Sequence, residues 1–203
     1  MRYCIFGGSF DPPHEGHRHL ARIAVASLGL DHVFWVPAQD PPLKTAPGTP
    51  FRDRLEMVKL AIASLPGQSP SDIESGLPTP SFSLHTIRAL QARHGAEHAW
   101  HFLIGSDNWA IFPKWHQPAE VLKAVTLVVY PRKGFAIGDL PPGVLRLETS
   151  EVPGKSTDIR AALAGGASAE AAGLLPELWP YVAARGLYRP MVSGSAGTGR
   201  GNA

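Results

Sequence analysis

Short, nearly continuous apolar runs alternate along this chain with longer segments in which apolar residues recur at helical spacing. The runs have the length of buried strands, and most of them end at glycine or proline. They predict strands at residues 3–6, 33–36, 100–104, 125–130 and 144–147. Strands that are apolar on both faces and separated by helices are typical of a parallel sheet covered on both sides. The sequence therefore predicts an α/β fold with a Rossmann-like, doubly wound parallel sheet.

The predicted helices fall between these strands and after the last of them. Apolar faces predict helices at residues 15–28, 52–65, 81–94, 157–163 and 176–184. The last two form a small C-terminal helical part. Stretches rich in proline and glycine at 37–50 and 66–80 predict loops, the second with a short strand near Ile73.

Length and composition indicate how the chain is organised. Its 203 residues suit one compact domain, which we place at residues 1–190. Segment 191–203 is rich in small polar residues and is expected to be a disordered tail. The single cysteine, Cys4, excludes an internal disulfide framework and a cysteine-based zinc site.

Charge and hydropathy exclude several classes of partner. A net charge of +2 gives no indication of a nucleic-acid scaffold or of a polybasic membrane-binding surface. No apolar stretch approaches the ~18 residues of a membrane span, and Gly7-Gly8 interrupts the first apolar run too early for a signal peptide. We therefore expect a cytoplasmic protein whose partners are neither nucleic acids nor membranes.

The densest group of chemically active residues follows the first predicted strand. Residues 7–17 are Gly-Gly-Ser-Phe-Asp-Pro-Pro-His-Glu-Gly-His. Ligands bind at the carboxyl ends of strands in open parallel sheets, and Gly7 and Gly8 allow the sharp turn and close approach needed there. The following helix offers free N–H groups and a positive dipole end to a phosphate. His14 and His17 lie on one face of its first turn, so the string predicts a nucleotide phosphate site.

Two other interpretations of this string remain open. His14, His17 and His19 could form a metal site, although His19 points to another side of the helix and no carboxylate at ligand spacing completes the set. Either histidine alone could also cap the helix or lie on the surface. The string matches neither the dinucleotide-binding G-x-G-x-x-G loop nor a Walker A loop.

A second candidate phosphate site lies at Lys155-Ser156-Thr157-Asp158-Ile159-Arg160. Serine or threonine just before an apolar-periodic segment marks a helix N-terminus. Arg160, one turn further on, offers a fork of donors that matches phosphate oxygens. Taken alone, these residues also suit an ordinary helix cap followed by a solvated arginine.

Together the two strings resemble the His-x-Gly-His and Ile-Ser-x-Thr/Ser-x-x-Arg signatures of the nucleotidyltransferase superfamily, from which Lys155 departs near the usual apolar position. In that superfamily the two histidines hold the triphosphate and the transition state. The resemblance therefore implies that His14, His17 and Arg160 are catalytic. It also implies an ATP site that includes these three residues and Gly7, Gly8, Ser9, Phe10, Ser156 and Thr157.

Within the superfamily the chain is similar to bacterial nicotinate-nucleotide adenylyltransferases from residue 1 to the Leu187-Tyr188-Arg189 ending. Gly105-Ser106-Asp107, after the strand predicted at 100–104, resembles a Gly-x-Asp element that holds the ATP ribose. This likeness implies that Gly105 and Asp107 belong to the ATP site.

Three further elements imply a mononucleotide site. Pro41-Pro42-Leu43-Lys44 resembles an element whose lysine contacts the substrate phosphate. Phe112-Pro113-Lys114-Trp115 resembles a segment whose tryptophan stacks on the pyridine ring. Pro80-Ser81-Phe82-Ser83 resembles an element at the pyridine carboxylate, with serine in place of the usual threonine. The implied contacts are Lys44, Ser83 and Trp115, each of which could alternatively be an ordinary surface or packing residue.

The resemblance implies transfer of the adenylyl group of ATP to nicotinate mononucleotide in NAD biosynthesis. Mg²⁺ is expected to arrive bound to ATP, because this ion binds few protein groups when phosphates are present. The alternatives are a cytidylyltransferase, a pantetheine-phosphate adenylyltransferase and a non-catalytic nucleotide-binding module. Trp115 and the Pro-Ser-Phe-Ser element argue against the first two. His14, His17 and Arg160 together argue against the third, because binding alone does not require all three.

Overall fold

A twisted parallel sheet forms the centre of the computed structural model, which describes residues 1–43, 47–149 and 154–189. Within these ranges the sheet has six strands: β1 (Arg2–Gly8), β2 (His32–Pro37), β3 (Gln68–Pro70), β4 (Ala99–Gly105), β5 (Thr126–Tyr130) and β6 (Val144–Arg146). They lie in the order β3-β2-β1-β4-β5-β6, and every pair is parallel. The chain thus winds outward twice from the centre, which confirms the predicted Rossmann-like, doubly wound α/β fold.

Helices cover both faces of this sheet. Over the described residues they are α1 (Glu15–Leu28), α2 (Phe51–Ile62), α3 (Ser83–His94), α4 (Ser106–Ile111), α5 (Pro118–Ala124), α6 (Ser156–Ala164) and α7 (Trp179–Arg185). Three 3-10 turns accompany them at Ile73–Gly76, Phe112–Lys114 and Pro176–Leu178. α6 and α7 follow the last strand and form the predicted small C-terminal helical part.

Successive side chains of β1 point to opposite faces of the sheet, and each face packs into its own apolar core. Cys4 and Phe6 point to one face of the sheet, where they join the apolar cluster formed with α1, α2 and α7. Ile5 points to the other face and joins the cluster formed with α3 and α5. Burial raises the pKa of the Cys4 thiol to about 12, so this cysteine is an unreactive core residue.

The sequence-based assignment was wrong or incomplete at three elements. The strand predicted near Ile73 lies at Gln68–Pro70, and Ile73 instead begins a 3-10 turn. β3 pairs only with β2 at the edge of the sheet and has no apolar run to reveal it. Helices α4 and α5 were not predicted, because six and seven residues are too few to show helical periodicity.

Two expectations concern the extent of the chain. None of the helices found in the three described ranges is both long and apolar enough to cross a membrane. Segment 191–203 lies outside the described residues, so its disorder and the domain boundary at residue 190 stay predictions.

Candidate active site

The middle of the sheet's carboxyl edge positions the first motif. β1 ends at Gly8 and β4 ends at Gly105, and these two strands are neighbours. Their connections lead to opposite halves of the sheet, since β2 lies beyond β1 and β5 lies beyond β4. Such a divergence opens a crevice between the loops, which is where open α/β sheets bind ligands.

The structure brings His14 and His17 together at the start of α1. His14 is the N-cap residue, and its backbone N–H donates to His17 Nδ1 at 3.2 Å. The centroids of the two rings are 3.8 Å apart. His14 is buried, while half-buried His17 packs edge-on against Phe10, with ring centroids 5.0 Å apart. In the described part of the chain, no group of three His, Cys, Asp or Glu side chains could hold a metal ion.

Both rings are uncharged at neutral pH. Burial and the nearby charge of Arg132 lower the pKa of His14 to about 4. Burial, His14 and Arg132 hold the pKa of His17 well below its usual range. An anion bound beside the rings would offset these effects, because an opposite charge favours the protonated form. Each ring thus keeps one neutral N–H donor, and an anion bound beside it would raise its affinity for protons.

The loop between β1 and α1 is shaped by close packing at Gly8 and Phe10. A Cβ at Gly8 would lie only 3.0 Å from the Phe10 ring, and one at Gly7 would lie 3.4 Å from the Phe102 ring. Phe10 adopts a φ of +48°, a conformation that a bulky residue keeps only where its surroundings impose it. The Ser9 carbonyl accepts a hydrogen bond from the buried guanidinium of Arg54 at 2.8 Å.

The second motif is joined directly to this loop. Ser156 opens α6, and its hydroxyl donates to the Pro12 carbonyl at 2.9 Å. Arg160 donates from Nη1 to the Asp11 carbonyl. Thr157 is exposed in the first turn of α6. The N-termini of α1 and α6 therefore meet at one loop, although the two motifs are far apart in sequence.

The C-terminal ending supports the same loop. Tyr188 donates its hydroxyl to Asp11 Oδ1 at 2.6 Å, and Asp11 is buried. The pKa of the Tyr188 hydroxyl is raised by burial and by the Asp11 carboxylate, so the hydroxyl keeps its proton and remains a donor. The resemblance of residues 187–189 to the family ending thus corresponds to a contact with the first motif.

The Gly-x-Asp element follows β4 at the same crevice. Gly105 is the N-cap residue of α4, and a Cβ there would clash with Asp107 Oδ1 and would lie 2.9 Å from Arg132 Cγ. Any other residue at this position would therefore displace these side chains. Asp107 Oδ1 lies 3.8 Å from Arg132 Nε, and the Arg132 backbone N–H donates to the Ser106 hydroxyl at 2.9 Å.

Arg132 is a candidate functional residue that sequence reasoning missed. It follows β5 and lines a polar cavity with Lys133, Lys155 and Asp107. Gly154 closes this cavity toward His14, since a Cβ at Gly154 would lie 3.5 Å from His14 Nδ1. The available signal was the Pro-Arg-Lys-Gly string directly after a buried strand, at the edge where ligands bind. Lys155, the residue that departs from the superfamily signature, also lines this cavity and adds positive charge to it.

A second cavity opens at the ends of β1 and β4, and Gly7, Gly8 and Gly105 of the predicted ATP site line it. Ser83, the first residue of α3, lines it together with Trp115. Trp115 is half-buried, and the centroid of its ring lies 5.2 Å from that of the Phe112 ring. Phe82 and His116 stack at the rim with centroids 4.3 Å apart. Lys44, the third residue of the predicted mononucleotide site, lies outside the described residues.

Comparison with known proteins gives a consistent set of matches. Residues 5–162 match the family model described as cytidylyltransferase-like. A relative from Gloeobacter violaceus is 37% identical over 198 residues, which cover 92% of this chain and 96% of the relative. One from Gemmatimonas aurantiaca is 38% identical and covers 98% of each chain. Both carry the name "Probable nicotinate-nucleotide adenylyltransferase".

Solved structures support the fold. A Plasmodium falciparum nicotinic acid mononucleotide adenylyltransferase complexed with NaAD superposes with a TM-score of 0.70 at 18% identity, over 92% of this chain and 97% of that one. A Vibrio parahaemolyticus protein described as a nicotinate-nucleotide adenylyltransferase gives 0.66 at 23% identity, over 93% and 96%. At these identities the likeness establishes the arrangement of the sheet and helices.

Proposed function

This chain belongs to the nicotinate-nucleotide adenylyltransferase family, within the cytidylyltransferase-like group, and we propose that it transfers the adenylyl group of ATP to nicotinate mononucleotide. The products would be nicotinate adenine dinucleotide and pyrophosphate, in NAD biosynthesis. The expected compartment is the cytoplasm, where ATP is available.

One observation carries this proposal: both candidate phosphate motifs converge on the loop at the end of β1. Ser156 and Arg160 donate to the carbonyls of Pro12 and Asp11, beside the pair of histidines. The N-termini of α1 and α6 thereby lie at the same loop as Arg160 and the two imidazoles. That concentration of donors suits a triphosphate, because each group is positioned before the substrate arrives.

The reaction needs positioning and charge stabilisation more than proton transfer. An oxygen of the acceptor phosphate attacks the α-phosphorus of ATP, a new P–O bond forms, and the bond from the α-phosphorus to the bridging oxygen breaks to release pyrophosphate. The attacking phosphate monoester is mostly dianionic at neutral pH, since its second pKa is about 6. A general base is therefore unnecessary, and catalysis rests on bringing two anions together.

His17 has a defined role in this scheme. Its Nδ1 accepts the backbone N–H of His14, so in the neutral ring the proton resides on Nε2. The Nε2–H group is then the donor available to a phosphate oxygen at the α-phosphorus. Arg160 keeps guanidinium donors beyond the one that holds Asp11, and Arg132 adds charge from the β5 side. Together they stabilise the charge that develops on the leaving pyrophosphate.

The acceptor would lie in the cavity lined by Ser83 and Trp115. Trp115 offers a ring for the pyridine to stack on, and Ser83 offers a hydroxyl beside the N-terminus of α3. Lys44 would bind the acceptor phosphate. The described residues fit Mg²⁺ as an ion carried by the triphosphate, since they offer no carboxylate cage of their own. When bound, Mg²⁺ would neutralise part of the triphosphate charge.

A pyrophosphate-release assay tests the proposal. ATP and CTP are each paired with nicotinate mononucleotide, nicotinamide mononucleotide and 4′-phosphopantetheine, and the products are identified by mass. We expect the highest kcat/KM with ATP and nicotinate mononucleotide. A clear preference for CTP or for 4′-phosphopantetheine would refute the assignment, and binding of ATP without turnover of any acceptor would indicate a non-catalytic module.

A further inference from the structure

A buried carboxylate lines the cavity proposed for the acceptor and has no part in the scheme above. Glu74, in the 3-10 turn Ile73–Gly76, is only 7% exposed. Removing a charge from water is unfavourable unless hydrogen bonds replace the lost hydration. A carboxylate beside a site for anionic ligands also opposes their binding through its own charge. Its presence there therefore calls for a compensating role.

The two oxygens of Glu74 connect two different walls of the cavity. Oε2 accepts the backbone N–H of Gln39 at 2.8 Å, and Oε1 accepts the hydroxyl of Thr86 at 2.8 Å. Gln39 follows β2 in the chain and is half-buried. Thr86 lies on α3, one turn after Ser83. Glu74 thus holds the segment after β2 against the helix that carries the proposed carboxylate contact.

A second connection joins the same walls nearer the surface. The Asp40 N–H donates to the Ser81 hydroxyl at 3.0 Å, and the Ser81 N–H donates to the Asp40 carbonyl at 2.8 Å. These exposed-side bonds hold the rim, whereas the Glu74 bonds hold the interior. Two pairs of hydrogen bonds therefore join the two walls.

We infer that Glu74 is a positioning residue that sets the spacing between two walls of the acceptor cavity, the segment after β2 and helix α3. The inference rests on the proposed function, since a mononucleotide must fit between both walls at once. A shift of either wall would then weaken its contacts. His14, His17 and Arg160, which are proposed to hold the triphosphate, do not line this cavity, so ATP binding should not depend on this spacing.

Steady-state kinetics of Glu74→Gln and Glu74→Ala test the inference, with KM measured separately for nicotinate mononucleotide and ATP. We expect Glu74→Ala to raise the KM for the mononucleotide about tenfold, the scale of losing a hydrogen bond to a charged group. Glu74→Gln should have a smaller effect, because its amide oxygen can still accept from Gln39 and the Thr86 hydroxyl can turn to accept from its NH₂. The KM for ATP should not change.

The buried carboxylate of Asp53 offers a matched control. It accepts the Tyr181 hydroxyl at 2.7 Å where α2 meets α7, away from the cavity. Tyr181→Phe should lower the melting temperature and leave both KM values unchanged. A Glu74→Ala protein that lost stability in the same way, with its mononucleotide KM unchanged or both KM values raised equally, would overturn the inference. If Glu74→Ala does not fold, Glu74→Gln carries the test.

The result separates this inference from the function on which it rests. A wild-type protein that does not turn over nicotinate mononucleotide would refute the proposed function before any variant is made. An active wild type with an unchanged mononucleotide KM in both Glu74 variants would refute the inference alone.

Discussion

The loop that joins the two phosphate motifs and the cavity proposed for the acceptor are built by different means. On the side proposed for ATP, side chains hold the backbone of one loop: Arg54 binds the Ser9 carbonyl, Arg160 the Asp11 carbonyl and Ser156 the Pro12 carbonyl. On the acceptor side, hydrogen bonds between two loops and a pair of stacked rings, Phe82 and His116, define the walls.

The two sides should therefore control different kinetic constants. In the proposed reaction, charge would develop beside the N–H groups and positive charges of the ATP side, so its residues should act mainly on kcat. The acceptor side offers shape and a few polar contacts, which would bind substrate and transition state alike. Its residues should act mainly on the KM for the mononucleotide or on the choice of mononucleotide.

The largest expected effect tests the ATP side at His17. Replacing His17 with Ala should lower kcat by at least about a hundredfold, or ~2.7 kcal/mol, the scale of losing one preorganised donor. The KM for nicotinate mononucleotide should change little. Steady-state kinetics on protein shown to be folded by circular dichroism would measure both constants.

The neighbouring histidine His19 serves as the control for this change. It lies in the same helix, half-buried, and has no role in the proposed site. His19→Ala should therefore retain wild-type turnover. Because the His17 ring packs on Phe10, His17→Asn is a useful second variant that keeps more of the side-chain volume. Near-normal kcat in a folded His17→Ala protein would show that the histidine is only a packing residue.

The next effect concerns stability and uses the uncharged state of His14. Its pKa is about 4 in the folded chain and about 6.5 when unfolded, so the unfolded chain binds more protons between these values. The difference between the two pKa values corresponds to about 3 kcal/mol in the free energy of unfolding, and this contribution is fully present above pH 6.5. It is lost progressively as the pH falls from 6.5 toward 4.

Melting temperatures of the wild type and His14→Asn at pH 7.5 and pH 5 measure this effect. The wild type should lose more stability than the variant on acidification. Part of the loss should persist in both proteins, because burial also lowers the pKa of His17 and of His101. Equal losses in the two proteins would contradict the assignment of an uncharged, buried His14.

A smaller effect is expected at Arg132, which connects the charge of the ATP side to its histidines. Arg132→Ala should lower kcat about tenfold, by removing one charged donor near the leaving group. It should also raise the pKa of His14, since the Arg132 charge opposes protonation. NMR titration of the imidazole protons would follow the pKa, with exposed Arg93→Ala as control. An unchanged His14 pKa in Arg132→Ala would show that the Arg132 charge does not act on His14.

How far the sequence predicted the molecule depended on whether the signal was local. The parallel sheet could be predicted because each long strand is a separate apolar run between helices, and the β1–α1 string because its glycines and histidines are consecutive. His14 lies far in sequence from Ser156 and Arg160, and only the folded chain brings the three residues together. Their proximity could therefore be inferred from the family resemblance but not from local sequence patterns. The structure then supplied the contacts through Asp11 and Pro12.

The residues that were missed depend on distant partners. Arg54 looks like an ordinary charge on the amphipathic helix α2, yet it is buried against the Ser9 and Thr49 carbonyls. Glu74 lies in a loop-rich segment, and its role appears only when Gln39 and Thr86 fold around it. Neither the spacing nor the type of these residues distinguishes them from solvated charges. Three-dimensional packing is what gives each of them a hydrogen-bonding role.

The smallest effect tests the acceptor side at Ser83, and it concerns choice between substrates. Nicotinate and nicotinamide mononucleotide differ at one group, a carboxylate against an amide, so selectivity needs donors directed at that group. Ser83 stands at the first turn of α3, where its hydroxyl and the helix N-terminus both favour an anion. We therefore expect the wild type to have the higher kcat/KM with nicotinate mononucleotide. Trp115 would stack on either ring and contributes no preference.

Threonine at position 83 should sharpen this preference, because its branched Cβ restricts χ1 and holds the hydroxyl in fewer orientations. Ser83→Thr should raise the ratio of the two kcat/KM values about twofold to threefold, the scale of one restricted rotor. Ser83→Ala should lower the ratio toward one and leave the KM for ATP unchanged. A wild-type ratio near one, or one favouring the amide, would mean that the acceptor is wrong even if adenylyl transfer is right. If Ser83→Ala retained full selectivity, the backbone N–H groups at the start of α3 would account for the choice by themselves.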